Sequence, residues 1–350
     1  MIDWLTCRIG VHLPAPIADG WTLKIDRDGG EVLRVPHRLS VLGSFESAVA
    51  VRAVVTDELE LSGNVSKFVQ GHNLYGSDDP IAVLWEALQR LVPVLGAPLA
   101  EIGLRSMADL AARTTISRVD CTYMLKFDAP GDVLSFLRGA EATGRVPRRG
   151  RGVLKGSTLV YGHAAGKRFT RWQLVLYSKG QEIADNPLPQ FMMSDVEVVS
   201  FANCCLRVEV RLGRNELRER GLRCLADWSR ATCSVMWREK VQMLSFNETV
   251  VDELADMATL PNHLRGTYAQ WKLGHDLRKS MTKAKFYRHR RLIEGVTGVD
   301  IAIAPAAPST PNVVPIKRVL EARLVDRPEW ADRVDSQLRA AGCFTFPAAA

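Results

Sequence analysis

The chain has 350 residues, of which 47% are hydrophobic and 24% are charged, and its formal net charge is +7. This composition excludes a disordered chain and gives enough length for two domains with separate cores. The sequence lacks a signal-peptide pattern at its start and has no apolar run long enough to span a membrane. Its seven cysteines form no CxxC pair and no zinc-ligand spacing, so we expect reduced thiols in a cytoplasmic protein.

In chain order, six runs of β-rich or alternating composition come first. They lie at residues 21–43, 49–63, 117–127, 157–162, 172–180 and 206–212. Two amphipathic stretches between them, at 77–96 and 129–144, predict helices, and Pro80 after two aspartates favours a helix start. The pattern predicts an α+β fold, with a mostly antiparallel sheet and helices packed on one of its faces.

The character of the sequence changes after Leu212. From there to about Glu294 it reads as helices, which predicts a domain boundary near Asn215. A Pro-rich stretch, APAAPSTPNVVP, follows the helices and reads as a link. The predicted division is a sheet domain at 1–215, a smaller helical domain at 216–304, and a Pro-rich link with a C-terminal segment at 305–350.

Positive charge is concentrated in two runs. The first lies between Glu141 and Glu182, where there is no acid, and the second covers residues 265–291, with Asp276 as its single acid. Two such runs favour a polyanionic partner, and a solvated basic face is the alternative. The residues of the first run that we expect to contact nucleic-acid phosphates are Arg148, Arg149, Arg151, Lys167, Arg168 and Arg171.

The second basic run predicts a helix-turn-helix. One helix ends at Leu273, a short helix follows in DLRKSM, and Thr282 caps a last helix that runs to about Glu294. An ordinary basic amphipathic helix is the alternative. The side chains expected to contact phosphates and guanine edges are Lys283, Lys285, Arg288 and Arg291.

Three of the predicted strands carry polar side chains on one face, because successive side chains of a strand alternate in direction. The polar residues are Arg118, Asp120 and Thr122 on one strand, Arg207, Glu209 and Arg211 on a second, and Tyr177 and Lys179 on a third. A solvent-exposed sheet face is the ordinary explanation of such a pattern. The alternative is a site that gathers a tyrosine, a lysine and two carboxylates on one sheet floor, with Arg118 and Arg207 beside them as DNA contacts.

These residue types have the chemistry for cutting a phosphodiester by transesterification. The Tyr177 oxygen would attack phosphorus, and the DNA 5′ phosphate would stay on the protein. The pKa of a free phenol is near ~10, so the Lys179 ammonium is expected to stabilise the phenolate. A divalent ion, Mg²⁺ or Mn²⁺, held by Asp120 and Glu209 would polarise the scissile phosphate.

A histidine is the third expected metal ligand. His72 lies in KFVQGHNLYG, where Gln70 and His72 are expected to share a strand face and Gly71 allows a close approach of the backbone. His163, in LVYGHAAGKRF, is the other candidate, but a surface role fits it better. The sequence therefore predicts His72 at the site.

Several stretches resemble the gene II replication initiators of filamentous bacteriophages and their relatives in phage-like plasmids. They are MIDWLTCRI, SKFVQGHNLYGSDD, TTISRVDCTY, WQLVLYSKGQE, LRVEVRL, FYRHRRLIEGV and NVVPIKRVLEARLVDRPEW, in that order over most of the chain. The resemblance implies a sheet domain like that of the HUH nucleases and a protein that acts in a bacterial host cell. It also implies a site-specific nickase with strand-joining activity.

By this resemblance, Tyr177 links the protein to the 5′ end of one strand cut at the plus-strand origin of supercoiled DNA. The displaced strand is rejoined after rolling-circle synthesis, and a host helicase and polymerase are expected as partners besides DNA. The sequence departs from the HUH nucleases in one respect, since no two of its histidines lie one residue apart on a strand.

Two other functions remain open at this point. A DNA-binding regulator that recognises an origin or operator would use both basic runs and need no chemistry. A tyrosine recombinase fits poorly, because that class has its nucleophile near the C-terminus after an HxxR motif and no tyrosine follows Tyr287 here.

Overall fold

The computed structural model describes residues 1–25, 31–147, 149–162, 171–245, 260–272, 275–297, 300–302, 324–325 and 327–346. It confirms the predicted α+β fold, with helices packed on a large antiparallel sheet. No helix within these ranges is long and apolar enough to cross a membrane.

The strands of the described residues were numbered in chain order. They are β1 (Ile2–Gly10), β2 (Trp21–Ile25), β3 (Glu31–Pro36), β4 (Leu39–Leu42), β5 (Ala48–Arg52), β6 (Glu58–Gly63), β7 (Thr114–Lys126), β8 (Arg145–Val146), β9 (Gly150–Arg151), β10 (Val153–Lys155), β11 (Thr158–Tyr161), β12 (Trp172–Ser178), β13 (Cys205–Gly213) and β14 (Leu324–Val325). Most are short, which is usual for an antiparallel sheet.

The helices follow the same convention. They are α1 (Val65–Gln70), α2 (Pro80–Leu95), α3 (Met107–Arg113), α4 (Pro130–Thr143), α5 (Lys179–Asp185), α6 (Gln190–Met193), α7 (Val196–Asn203), α8 (Arg214–Glu219), α9 (Arg230–Val241), α10 (Asn262–Lys272), α11 (Leu277–Ser280), α12 (Lys283–Thr297) and α13 (Ala331–Ala340). Two short 3₁₀ helices lie at Ser44–Glu46 and Leu225–Asp227.

Ten of the described strands form one sheet. Their order is β10, β11, β12, β13, β7, β1, β6, β5 and β4, with β14 pairing with β7 beside β1. The long central strand β7 has β13 along one edge, while β1 and then β14 occupy the other edge. All of these pairings are antiparallel.

The main core forms on the apolar face of this sheet. Period-two alternation turns Leu174 and Leu176 of β12 into the core, where α2, α4 and α9 contribute their apolar stripes. Helix α2 begins as the sequence predicts, because the Asp79 side chain accepts hydrogen bonds from two backbone amides of its first turn and Pro80 is the first helical residue.

Helix α8, which contains Asn215, and the following helix α9 also belong to this core. Leu217 of α8 and Trp237 of α9 are buried in it, and the Trp237 Nε1 donates to the Val208 carbonyl at 2.9 Å. The described residues 260–302 form an apolar core of their own, where α10, α11 and α12 pack together. The second core therefore begins beyond residue 245, whereas the sequence predicted a domain boundary near Asn215.

The C-terminal segment returns to the sheet. Strand β14 pairs with Met124 and Leu125 of β7, and α13 packs in a second apolar cluster with Tyr75 and Met124. The Tyr75 hydroxyl donates to Asp335 Oδ1 at 2.8 Å, which ties α13 to the turn after α1. The described part of the predicted C-terminal segment is thus built into the sheet domain.

Candidate active site

Tyr177 lies on the polar face of the sheet, one residue before the end of β12. It is directly opposite Arg207 on β13 and partly exposed, and its hydroxyl donates to Glu209 Oε1 at 2.7 Å. Burial raises the pKa of Tyr177 well above its ordinary value, and Glu209 adds to this rise while Arg207 opposes it. The resting phenol is therefore protonated and has a carboxylate as its hydrogen-bond acceptor.

Glu209 is almost fully buried and shared by several donors. Arg207 Nε lies 3.3 Å from its Oε1, and Arg211 donates to its Oε2 from Nε at 3.1 Å and from Nη2 at 2.8 Å. The two arginines flank Glu209 at a spacing of two residues on β13, which places all three on one face. Charged hydrogen bonds of this kind hold a carboxylate in a fixed orientation.

Asp120 extends the network on the neighbouring strand. Arg118 donates to its two oxygens at 2.8 and 2.5 Å, and Arg211 Nε lies 3.6 Å from Oδ2. Burial raises the pKa of Asp120 to about 6, although both arginines oppose this rise. The predicted polar face of Asp120, Glu209 and Tyr177 is thus one connected set of side chains.

Arg207 lies beneath this face and connects it to β1. Its side chain is fully buried, with Nη2 2.7 Å from Asp3 Oδ1 and Nη1 donating to the Asn73 carbonyl. The sequence predicted Arg207 as a DNA contact, but in this arrangement its charge is satisfied by the protein. Asp3 was not predicted; its signal is a single carboxylate within the otherwise apolar start of β1.

Lys179 differs from the prediction in its position. Strand β12 ends at Ser178, whose Oγ accepts from the Gln181 amide, and Lys179 begins α5 instead of continuing the strand face. It is fully buried, and its Nζ donates to Asn73 Oδ1 at 2.7 Å and to Glu182. Burial lowers the pKa of Lys179 to about 8, and Arg207 lowers it further while Glu182 opposes this.

His72 lies in a turn, so the predicted strand face shared with Gln70 is wrong. Helix α1 ends at Gln70, and Gly71 has a φ of +85°, a conformation that favours glycine. The fully buried His72 accepts the Leu74 amide at Nδ1 over 3.2 Å, while Nε2 has no partner among the described residues. Burial lowers the pKa of His72 to about 3, with the charges of Lys179 and Arg327 contributing.

The three expected metal ligands do not form a metal site in this arrangement. The oxygens of Asp120 and Glu209 are held by arginines, and His72 uses Nδ1 as a backbone acceptor. Within the described ranges, no group of three or more His, Cys, Asp or Glu side chains has a geometry that could hold a metal ion. The donor set as folded here does not fit a divalent ion.

The residues of the first basic run are dispersed. Arg149 is half-buried, with its guanidinium 4.9 Å from the Trp172 ring centroid, Arg151 is exposed on β9, and Arg171 pairs with Glu219. Three of the predicted contacts lie outside the described residues: Arg148, Lys167 and Arg168.

The second basic run forms the predicted group of three helices. Phe286 and Ile293 of α12 are buried in the local core, and Thr282 Oγ1 accepts from the Lys285 amide at 3.4 Å at the start of α12. The opposite side of α12 is exposed, and the charged ends of its basic residues make no hydrogen bond or ion pair within the described part of the chain. These residues are Lys283, Lys285, Arg288 and Arg291.

Comparison with known proteins gives a family for most of the chain. Residues 1–231 match the N-terminal family of the gene II replication-associated proteins, and residues 255–334 match its C-terminal counterpart. The gene II replication-associated protein of Enterobacteria phage I2-2 is 29% identical over 343 residues, which cover 95% of this chain and 97% of that protein. No solved structure gives a significant match. The chain therefore belongs to the gene II family of replication-associated proteins.

Proposed function

We propose that the protein initiates replication by nicking one strand of a phage or plasmid origin through Tyr177. It stays linked to the 5′ end and rejoins the displaced strand after rolling-circle synthesis. The family match supports a role in replication, and the contact between the Tyr177 hydroxyl and Glu209 Oε1 at 2.7 Å supports the chemistry. A host helicase and polymerase remain predicted partners.

The chemistry begins with a protonated phenol, because the pKa of Tyr177 is raised. As the phenolic oxygen attacks phosphorus, its proton passes to Glu209, which already accepts that hydrogen bond. The bond between phosphorus and the 3′ oxygen breaks, and the 3′ oxygen leaves as a hydroxyl group with the proton that Glu209 releases through water. Rejoining is the reverse reaction, in which a 3′ hydroxyl attacks the phosphotyrosine.

Positive charge around Tyr177 supports this reaction. Arg211 lies on the same face of β13 and is partly exposed, whereas the charge of the buried Arg207 is satisfied within the protein. Guanidinium groups stabilise the charge that develops on a phosphate in the transition state. The exposed basic side of α12 supplies a second surface, which we assign to recognition of the duplex origin.

Tyr177→Phe tests the proposal. It is expected to abolish nicking of supercoiled DNA that carries the origin and to abolish the covalent adduct, while duplex binding stays nearly unchanged. The adduct is measured by mass spectrometry of a tyrosine-linked nucleotide. Tyr161→Phe is the matched control, because Tyr161 lies on the neighbouring strand β11 and its hydroxyl donates to the Ala140 carbonyl instead of a carboxylate.

The same assay separates the enzyme from a non-catalytic regulator. A wild-type protein that binds the origin but never nicks it with Mg²⁺ or Mn²⁺ present would be an origin- or operator-binding regulator. The predicted requirement for a divalent ion is measured by chelation, followed by the return of each ion.

A further inference from the structure

Trp4 of β1 lies on the same face of the sheet as Tyr177. The side chains of β1 alternate, so Leu5 and Cys7 enter the main core while Trp4 points to the polar face, where it is paired across the sheet with Asp120. The Trp4 ring is half-buried and belongs to none of the three apolar clusters of the described residues. A tryptophan is therefore partly exposed on the face that carries the candidate active site.

The ring of Trp4 is held in one orientation. Its Nε1 donates to Thr6 Oγ1 at 3.1 Å, and that oxygen lies 2.8 Å from Ser62 Oγ. The Arg118 guanidinium lies over the ring, with its central carbon 4.8 Å from the ring centroid. An aromatic side chain that is already fixed loses little conformational entropy when a ligand stacks on it.

A continuous series of side-chain contacts on the polar face joins this ring to the candidate nucleophile. In order, the contacts are formed by Trp4, Arg118, Asp120, Arg211, Glu209 and Tyr177. Strand β1 is the third strand from β12, and Trp4 lies opposite Asp120, four residues along β7 from the row of Tyr177. Ordinary strand dimensions then separate the backbones of Trp4 and Tyr177 by about 20 Å.

The guanidinium groups of this series face solvent more than its carboxylates do. The Arg118 side chain is 27% exposed and that of its partner Asp120 is 3% exposed. The corresponding values for Arg211 and Glu209 are 30% and 4%. A polyanion that lies over this face therefore meets the arginines first, with the carboxylates beneath them.

We propose that Trp4 stacks on one base of the single DNA strand whose phosphate is cut at Tyr177, an inference that rests on the proposed function. Arg118 and Arg211 contact phosphates between that base and the cut. Aromatic rings combined with basic side chains are the usual surface for a single strand, because every base has a flat face and every nucleotide a charge. The contact selects an unpaired strand, since a base inside a duplex is already stacked on its neighbours.

The test measures binding of a short thymine oligonucleotide to the Tyr177→Phe variant, in which chemistry cannot interfere. Trp4→Leu, added to this variant, is expected to weaken binding about tenfold in fluorescence anisotropy, the effect of one lost stacking contact. Trp4→Phe keeps a flat ring and should retain most of the affinity. Trp85→Leu is the matched control, because Trp85 is a half-buried tryptophan of α2, which packs on the opposite face of the sheet.

An abasic deoxyribose-phosphate strand of the same length and charge separates stacking from a structural effect. Trp4→Leu should leave the binding of this strand unchanged, because the strand has phosphates but no bases. An equal loss of affinity for both strands would overturn the proposal. Unchanged binding of the thymine strand by folded Trp4→Leu protein would overturn it as well.

A second measurement does not depend on the folding of a Trp4 variant. A strand with 5-iodouracil in place of thymine is irradiated on the Tyr177→Phe protein, and crosslinked peptides are identified after digestion with trypsin. We expect the peptide of residues 1–8, MIDWLTCR, in which Trp4 is the single aromatic residue. Absence of this peptide from the crosslinked products would contradict the stacking contact.

Failure of the proposed nicking reaction has a different signature. In that case wild-type protein forms no adduct with origin DNA, while the crosslink at Trp4 and the weaker binding of Trp4→Leu are still observed. Failure of the stacking contact alone leaves adduct formation by the wild type intact and removes both of these effects.

Discussion

Glu209 is the residue on which the charges of the polar face converge. It accepts from the Tyr177 hydroxyl and from two arginines, and it is buried to within a few per cent. A buried carboxylate is stabilised by such partners, and the loss of one of them leaves a buried polar group without its hydrogen bond. These contacts hold the side chains of the polar face in place. They also make Glu209 the acceptor of the hydrogen bond from the Tyr177 hydroxyl.

His72 is the opposite case, because its buried Nε2 has no hydrogen-bond partner in the part of the chain that the structure describes. Its pKa is lowered to about 3, so the folded protein holds the neutral ring, whereas the unfolded chain takes up a proton near pH 6.5. The stability that this difference contributes is present above pH 6.5 and is lost as the pH falls toward 3.

We expect His72→Gln to reduce the pH dependence of stability. Between about pH 7 and about pH 5, the free energy of unfolding of the wild type should fall by about 2 kcal/mol more than that of the variant. Urea denaturation at the two pH values measures this, with the exposed His12→Gln as the control. Identical pH dependence in wild type and His72→Gln would contradict a buried neutral imidazole.

At the scale of single residues, the sequence predicts which face of a strand each side chain occupies. It does not predict the residue at which a strand ends. Tyr177 alternates with Leu174 and Leu176, so its face could be inferred from period two. Lys179 could not, because Ser178 ends the strand and starts a helix through its own side chain. The role of Asp3 is hard to predict, because a single acid in an apolar run does not indicate which basic residue it will pair with.

At the scale of elements, α12 has two faces with different roles. Phe286 and Ile293 attach it to α10 and α11, and its basic side chains are left exposed. The start of α12 was predictable because Thr282 is a helix-capping residue that precedes a basic amphipathic run. The turn after α1 was not, because a glycine in the left-handed region ends that helix just before His72.

Arg288→Ala combined with Arg291→Ala is expected to weaken binding to the duplex origin by about 1–3 kcal/mol for each residue. If the lost contacts are to phosphates, the slope of log affinity against log salt falls by about one per residue. Adduct formation on a short single strand should persist. Titrations at several salt concentrations measure this.

Arg105→Ala is the matched control for that pair, because Arg105 is an exposed arginine of the sheet domain before α3. Unchanged origin affinity in the double variant would remove the recognition role of α12 and return it to the first basic run.

At the scale of the whole molecule, the C-terminal segment completes the sheet domain. Val334 and Leu338 of α13 are fully buried in the cluster that contains Tyr75 and Met124, and Arg327 pairs with Asp335 at 2.6 Å. These contacts between the C-terminal segment and the sheet join residues that are far apart in the sequence. Such a contact has no periodic signal, and a two-residue strand such as β14 is too short to be recognised from composition.

Leu338→Ala should therefore destabilise the sheet domain, although it lies near the end of the described chain. We expect a loss of about 2–5 kcal/mol in the free energy of unfolding, since a fully buried leucine is truncated. Hydrogen exchange of β7 amides and denaturant unfolding measure it. Val296→Ala, at a position 47% exposed on α12, is the control. A normal transition for Leu338→Ala would show that α13 unfolds by itself.

The pairing of β14 with β7 has a consequence for synthesis of the protein. During translation, Leu125 is synthesised long before its partner Leu324. The part of the β7 edge that pairs with β14 therefore stays unpaired while the intervening chain is translated. Until α13 arrives, Tyr75 lacks the carboxylate of Asp335 and the turn that carries His72 lacks its cover. A nascent chain therefore completes this edge of the sheet domain only after the helices of residues 260–302 have been made.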